Sequence, residues 1–199
     1  KLAGRARCEV ALREELGLDP GPVFGVVCRA TTQKGLDLIA QSAEAIVGQG
    51  GRFAILADGD QNILDPLREL ASRHPHALSL TCDFDLSLAR RIYAGSQFIV
   101  VPSRFEPCGL TQMYGMRYGA VPIVRRTGGL EDTVIDGKTG LTFFDPTPEA
   151  CRESMARALA LYEQPKAFAK IRKNGMTKDW SWTEPARTYT AIYKMVSAH

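Results

Sequence analysis

"QFIVVPSRFEPCGLTQMYGMRYGAVPIVRR" occupies residues 97–126, and its changing period decides the fold. "QFIVVP" is a short, β-branched apolar run, the pattern of a buried strand. "LTQMYGMRYG" then reads as a helix, and "VPIVRR" as a second strand. A strand, a helix and another strand in so short a span form a βαβ unit, whose strands lie parallel.

The same alternation extends in both directions. Upstream, "VFGVVCR" (residues 23–29) is a strand between "DPGP" and polar residues. It is followed by "KGLDLIAQSAEAIVGQG", with apolar residues at helical spacing and glycines at its end. "RFAILA", "ALSLTC" and a short "LTFFDP" supply further strands. "NILDPLRELASRH", with Pro66 expected near its first turn, and "LSLARRIYAG" supply helices. "TPEACRESMARALALYEQP" is a helix with Thr147 placed to cap it and Pro148 at its first position. Two more helices follow, with Trp180 and Trp182 between them. Repeated alternation predicts an α/β fold: a doubly wound, Rossmann-like parallel sheet with helices on both faces.

Composition narrows the function. The 199 residues are 45% hydrophobic and 24% charged, ordinary for a globular chain that buries its own core. A net charge of +3 is too small to suggest nucleic acid or an anionic membrane as partner. No apolar run is long enough to span a bilayer, and "KLAGRARCEV" has no apolar core of a signal peptide behind its basic start. The first residues read as the tail of something longer. Five scattered cysteines without a C-x-x-C pair suggest free thiols in a reducing cytoplasm, rather than a disulfide frame or zinc site.

In open parallel sheets the ligand crevice lies beyond the carboxyl ends of the strands. Arg29 and Lys34 stand at such a place, where two cations beside helical N–H groups suit a diphosphate; the plainer alternative is a pair of solvated charges. In "SRFEPCGLTQ" (residues 103–112), Gly109 permits close backbone approach. The helix behind it offers free N–H groups at Leu110 and Thr111, which favour an anion by ~0.3–1 kcal/mol. Glu106 has the wrong sign for phosphate but suits sugar hydroxyls, its alternative being an ion pair with Arg104. Cys108 reads first as a small buried hydrophobe rather than a nucleophile. In "TGGLEDTV", Gly128 and Gly129 again point N–H groups toward phosphate, or simply make a turn. Neither G-x-G-x-x-G nor G-x-x-x-x-G-K-[ST] occurs, which removes the main support for a dinucleotide dehydrogenase or a P-loop NTPase.

"SRFEPCGLTQMYGMRYGAVPIVRRTGGLEDTV", "CRATTQKGLDLI" and the ending "DWSWTEPARTYTAIY" together resemble, in content and order, the bacterial glycogen synthase and starch synthase family. The resemblance implies the C-terminal half of a GT-B glycosyltransferase. Residues 1–19 would be a leading, interdomain helical segment and 20–199 the nucleotide-sugar-binding domain, with C-terminal helices over 147–199. The acceptor-side domain would be absent. It also implies transfer of glucose from ADP-glucose to the non-reducing end of an α-1,4-glucan, with retention, no metal and no other cofactor. By position, Arg29 and Lys34 would neutralise the leaving diphosphate, and Glu106 would hold the glucose hydroxyls. Cys108, Gly109 and Leu110 would line the sugar, Thr111 would contact phosphate, and Phe84 would lie against the base.

The chain departs from the family pattern at "LADGD" (residues 56–60) and "CDFDL" (residues 82–86), where Asp83 and Leu86 replace a glycine and an acid. These changes create two D-x-D pairs, Asp58/Asp60 and Asp83/Asp85, whose hard oxygens would suit magnesium. His74, His76, Arg90–Arg91 and Arg125–Arg126 read as solvated groups or ion pairs, and the two tryptophans as core packing. Two further readings stay open here. One is a non-catalytic module binding nucleotide or glucan; the other is a transferase using another donor, such as a UDP-sugar.

Overall fold

The computed structural model describes residues 4–197. Six strands form one sheet, all parallel: β1 Val23–Ala30, β2 Arg52–Gly59, β3 Leu78–Thr81, β4 Phe98–Val101, β5 Val121–Arg125 and β6 Leu141–Phe143. Their spatial order is β3-β2-β1-β4-β5-β6, so the winding reverses between β1 and β4. β1 pairs with β2 along its whole length. With β4 it pairs only through Phe24–Phe98 and Gly25–Ile99. The sheet is thus split above this seam, at the place where doubly wound folds bind ligands.

Alternation along the strands divides the core into two layers. Phe24, Val26, Phe53, Ile55, Phe98 and Val100 face one layer, where they meet α2 (Leu36–Gly48), α3 (Gln61–Arg73), α7 (Pro148–Tyr162) and α8 (Pro165–Thr177). Phe24 stacks on Phe53 and Phe98, with ring centroids 5.4 and 5.0 Å apart. Val23, Ala54, Leu56, Ile99 and Val101 face the other layer, covered by α1 (Arg5–Leu16), α4 (Leu86–Gly95), α5 (Thr111–Tyr118) and the single-turn α6 (Gly129–Thr133). Gly25 permits this second layer: a Cβ there would lie 2.7 Å from Ile92 and 2.8 Å from Ile99.

Caps set the helix limits. Asp60, Asp85 and Thr147 accept backbone N–H bonds at the starts of α3, α4 and α7. Pro148 occupies the first turn of α7, as the sequence indicated. Pro66 lies differently from expectation. It is the sixth residue of α3 rather than a first-turn residue, because Asp60 starts the helix earlier than the apolar pattern suggested.

Helix α1 is packed against the domain. Its Arg5 is buried, and the guanidinium donates to the carbonyls of Ala94 (2.9 Å), Tyr118 (2.7 Å) and Ser96. These carbonyls belong to the C-terminal ends of α4 and α5, so one cation satisfies acceptors that the two helices leave open. Burial, then Arg172, lower the Arg5 pKa to about 10, with Glu9 opposing; at neutral pH the group is charged. The last helix, α9 (Thr183–Ser197), buries none of its residues. Among the described residues no helix is long and apolar enough to cross a membrane.

Candidate active site

Two loops build the crevice above the split. The first leaves β1 at Ala30, makes a 3-10 turn over Thr32–Lys34 and enters α2 through Gly35. Gly35 has φ +69, and a Cβ there would stand 2.3 Å from the carbonyl oxygen of Pro102. Only glycine lets this loop lie against the second, which runs from β4 to α5 and carries Glu106. The contact is reinforced by Arg104 N–H to Gln33 O (2.8 Å) and Gln33 Nε2 to Phe105 O (2.7 Å).

Lys34 and Glu106 meet at this junction. The Lys34 ammonium is 2.5 Å from Glu106 Oε2, and the Ser103 hydroxyl donates to the same oxygen at 3.1 Å. Glu106 is buried; Arg29, at the end of β1, is exposed and carries no ion pair among the described residues. The ion pair considered for Glu106 with Arg104 does not form. Arg104 instead grips Asp37 with two bonds of 2.7 Å, which hold the Asp37 carboxyl below its usual range. Nothing local in the sequence joins Arg104 to Asp37, 67 residues earlier; the parallel arrangement of their loops brings them together.

The Glu106 loop is supported from behind. Arg125 donates to the carbonyls of Ser103 (2.9 Å), Arg104 and Phe144 (3.2 Å). The default reading of Arg125 as a solvated or interdomain charge is therefore corrected, whereas Arg126 does pair with Glu131 and Arg91 with Glu15. Fully buried Gln112 donates to Gly109 O (2.9 Å) and Thr133 Oγ1 (3.0 Å), a role the sequence did not reveal. Gly109 has φ +70, with Gln112, Glu106 and Leu130 around it.

Within the Gly-Gly turn, Gly129 has a different task from the one expected. The Gly129 N–H bonds to Glu106 O (3.1 Å) and Pro107 O (3.2 Å), so it is unavailable to a phosphate. A Cβ would approach Glu106 O to 2.2 Å at Gly128, and Cys108 O to 2.1 Å at Gly129. These glycines seat the Glu106 loop. The first turn of α5, which starts at Thr111 without a side-chain cap, also leaves amides open to an anion. Burial pushes the Tyr93 hydroxyl of α4 up to about 12, with Thr111 opposing.

Beside these groups lies a pocket of about 450 Å³ between the ends of β1 and β2 and the start of α4. Val27, Leu56 and Ala89 form an apolar floor, while Arg29, Asp58 and Phe84 stand around it. Phe84 is 79% exposed, a ring projecting over an apolar slot. Cys28 joins this pocket to the ion pair. It lines the pocket, and its thiol responds to both Lys34 and Glu106, although burial dominates and raises it to about 12. Such a thiol stays protonated at neutral pH. Cys108 is exposed on the crevice loop rather than buried as expected, and Leu110 is exposed beside it.

Three of the four acids in the two D-x-D pairs are engaged in backbone bonds. Asp60 accepts from Asn62 N (2.9 Å), Asp83 from Phe84 N (2.6 Å), and Asp85 from Ser87 N and Leu88 N (2.7 and 2.9 Å). Among the described residues no three potential metal ligands come together. The tryptophans separate: Trp180 packs against the second core layer, whereas Trp182 is 74% exposed, contrary to the core role expected of both. A larger groove of about 670 Å³ runs between α5 and residues 176–181, with Leu110, Tyr114, Arg117 and Trp180 in its walls.

Comparison with known proteins gives a consistent result. A family described as "Glycosyl transferases group 1" matches residues 11–175. Glycogen synthase of Leptothrix cholodnii is 42% identical over 209 residues, covering all of this chain and 43% of that protein. Glycogen synthase of Haemophilus influenzae strain PittGG is also 42% identical, over 97% of this chain and 43% of its own length. The chain therefore spans less than half the length of these relatives. Among solved structures, the catalytic domain of starch synthase IV from Arabidopsis thaliana, bound to ADP and acarbose, superimposes with a TM-score of 0.90 at 31% identity. That match covers all of this chain and 44% of the other. Sucrose-phosphate synthase from Thermosynechococcus elongatus shares the fold, with a TM-score of 0.73 at 23% identity over 95% of this chain and 49% of the other.

Proposed function

Since the chain belongs to the glycosyl transferases group 1 family, we propose that it is the donor-binding domain of a retaining glucosyltransferase of the glycogen and starch synthase kind. Glucose would pass from ADP-glucose to the non-reducing end of an α-1,4-glucan. We assign the glucan to the part of the longer relatives that this chain does not match.

The observation that carries this reading is convergence. Lys34, Arg29, the open first turn of α5, the Glu106 carboxylate and an apolar slot under Phe84 all border the crevice above the β1–β4 split. A glucosyl nucleotide needs each of these chemistries, a slot for its base, positive groups for its diphosphate and a carboxylate for its sugar. The base enters the slot, with Phe84 against it. The diphosphate meets Arg29, Lys34 and the amides around Thr111. The glucose lies over Cys108, Gly109 and Leu110 with its hydroxyls on Glu106. As the bond from glucose to diphosphate breaks, negative charge grows on the departing ADP. Fixed positive groups there stabilise that charge more than the ground state. Glu106 orients the sugar. We assign no metal or other cofactor; Arg29 and Lys34 supply the positive charge that a cation would.

Calorimetric titration of ADP tests the reading. The chain is expected to bind ADP, with Arg29→Ala and Phe84→Ala each weakening it about tenfold, the scale of one charged or stacking contact. Absence of ADP binding, or crystals with ADP bound away from Arg29, Lys34 and Thr111, would overturn it. Parallel titrations of ADP-glucose and UDP-glucose establish the base preference that Asp83 and Leu86 bear on.

A further inference from the structure

The Lys34–Glu106 contact joins two groups that the donor site needs apart. Resting on the donor-site reading above, we propose that these residues form an exchange pair. The diphosphate draws the Lys34 ammonium away from Glu106, and only then is the carboxylate free to take the sugar hydroxyls.

The geometry supports this in three ways. An ammonium 2.5 Å from Glu106 Oε2 occupies the oxygen that a sugar hydroxyl would use, and its own charge is balanced there. The pair is sheltered, with the Lys34 side chain 19% and the Glu106 side chain 9% exposed, so solvent screens it little. Separation therefore needs a replacement anion of comparable strength, which a diphosphate is and a neutral sugar is not.

The movement must also be local. The two loops are fastened together by Arg104 N–H to Gln33 O, Gln33 Nε2 to Phe105 O, and the two hydrogen bonds from the Arg104 guanidinium to the Asp37 carboxylate. Gly35 is pressed against the Pro102 carbonyl. The loops are thus not free to part, and the flexible four-carbon stem of Lys34 is the element that can swing. When it leaves, the fully buried Ser103 keeps its hydroxyl bond to Glu106 Oε2, so the carboxylate holds its place.

This arrangement makes recognition of the two ends of the donor interdependent. ADP alone must break the pair and leaves Glu106 with an unmatched charge. The glucosyl nucleotide breaks the same pair but gives Glu106 new hydrogen-bond donors. Glu106 therefore sets the preference for intact donor over spent ADP, beyond simply touching the sugar.

The test is a calorimetric titration of ADP and of ADP-glucose into the unsubstituted chain and into Glu106→Gln. With the competing carboxylate removed, ADP should bind about tenfold more tightly, the scale of one charge-assisted hydrogen bond. ADP-glucose should gain less, so the preference for it over ADP falls. If Glu106→Gln is folded by circular dichroism yet binds ADP no more tightly than the parent, the exchange is refuted. Should that variant not fold, Glu106→Asp substitutes for it. Its carboxylate is one methylene short of Lys34, and ADP should again tighten, by about threefold; unchanged or weaker binding refutes the proposal. Failure of the unsubstituted chain to bind ADP at all would instead overturn the donor-site reading on which the exchange rests.

Discussion

At Gly129 the space for a side chain is already filled: a Cβ would lie 2.1 Å from the Cys108 carbonyl oxygen and 2.7 Å from Cys108 Cα. Both obstacles are backbone, so they cannot turn aside as a flexible side chain would. Gly129→Ala is expected to cost about 2–3 kcal/mol of stability, the upper range for overpacking, and to weaken ADP-glucose binding by shifting the Glu106 loop. Gly48 is the control. It closes α2 with nothing within 4 Å of an added Cβ, and Gly48→Ala should leave stability unchanged or raise it by about 0.5 kcal/mol. Urea unfolding of the two variants measures the contrast. The sequence made the Gly-Gly turn conspicuous but not its task. A free amide and one bonded to a carbonyl more than twenty residues earlier look identical in one dimension. Arg125 presented the same problem, because its acceptors are three main-chain oxygens that no side-chain pattern records.

Strands and helices were more legible than their contacts, because period and caps are written within a few neighbouring residues. "FAIL" and "FIVV" alternate between two buried layers, and Thr147 caps α7 just before Pro148. The same locality explains the D-x-D pairs. Asp85 accepts two N–H bonds at the start of α4, a complete reason for an acid there. Asp85→Ala should cost about 1 kcal/mol, while Asp85→Asn, an equally good cap, should stay within about 0.5 kcal/mol of the parent. Thermal melts with and without magnesium separate this role from metal binding. A cap predicts no magnesium response in either the parent or Asp85→Asn; a metal ligand predicts a magnesium-dependent rise in Tm that Asp85→Asn abolishes.

Across the whole molecule the two terminal helices behave oppositely. Helix α1 enters the second core layer through Leu12 and, through Arg5, covers the open ends of α4 and α5. Helix α9 buries nothing. Deleting residues 1–19 is expected to abolish cooperative unfolding, followed by calorimetry. Deleting residues 183–199 should move Tm by less than about 2 °C, since few contacts are lost. The leading helical segment expected over residues 1–19 carries α1, and its surface-like pattern gave no sign of the buried Arg5 that fastens this helix to the domain. The brief seam between β1 and β4 has a consequence of another kind. Beyond Gly25 the ladder to β4 ends, and main-chain groups of β1 border a gap instead of a neighbouring strand. Peptide groups are the same whatever residue bears them. Replacing crevice side chains one at a time would therefore account for only part of the affinity, and the remainder would surface only on substituting peptide bonds with esters along this rim.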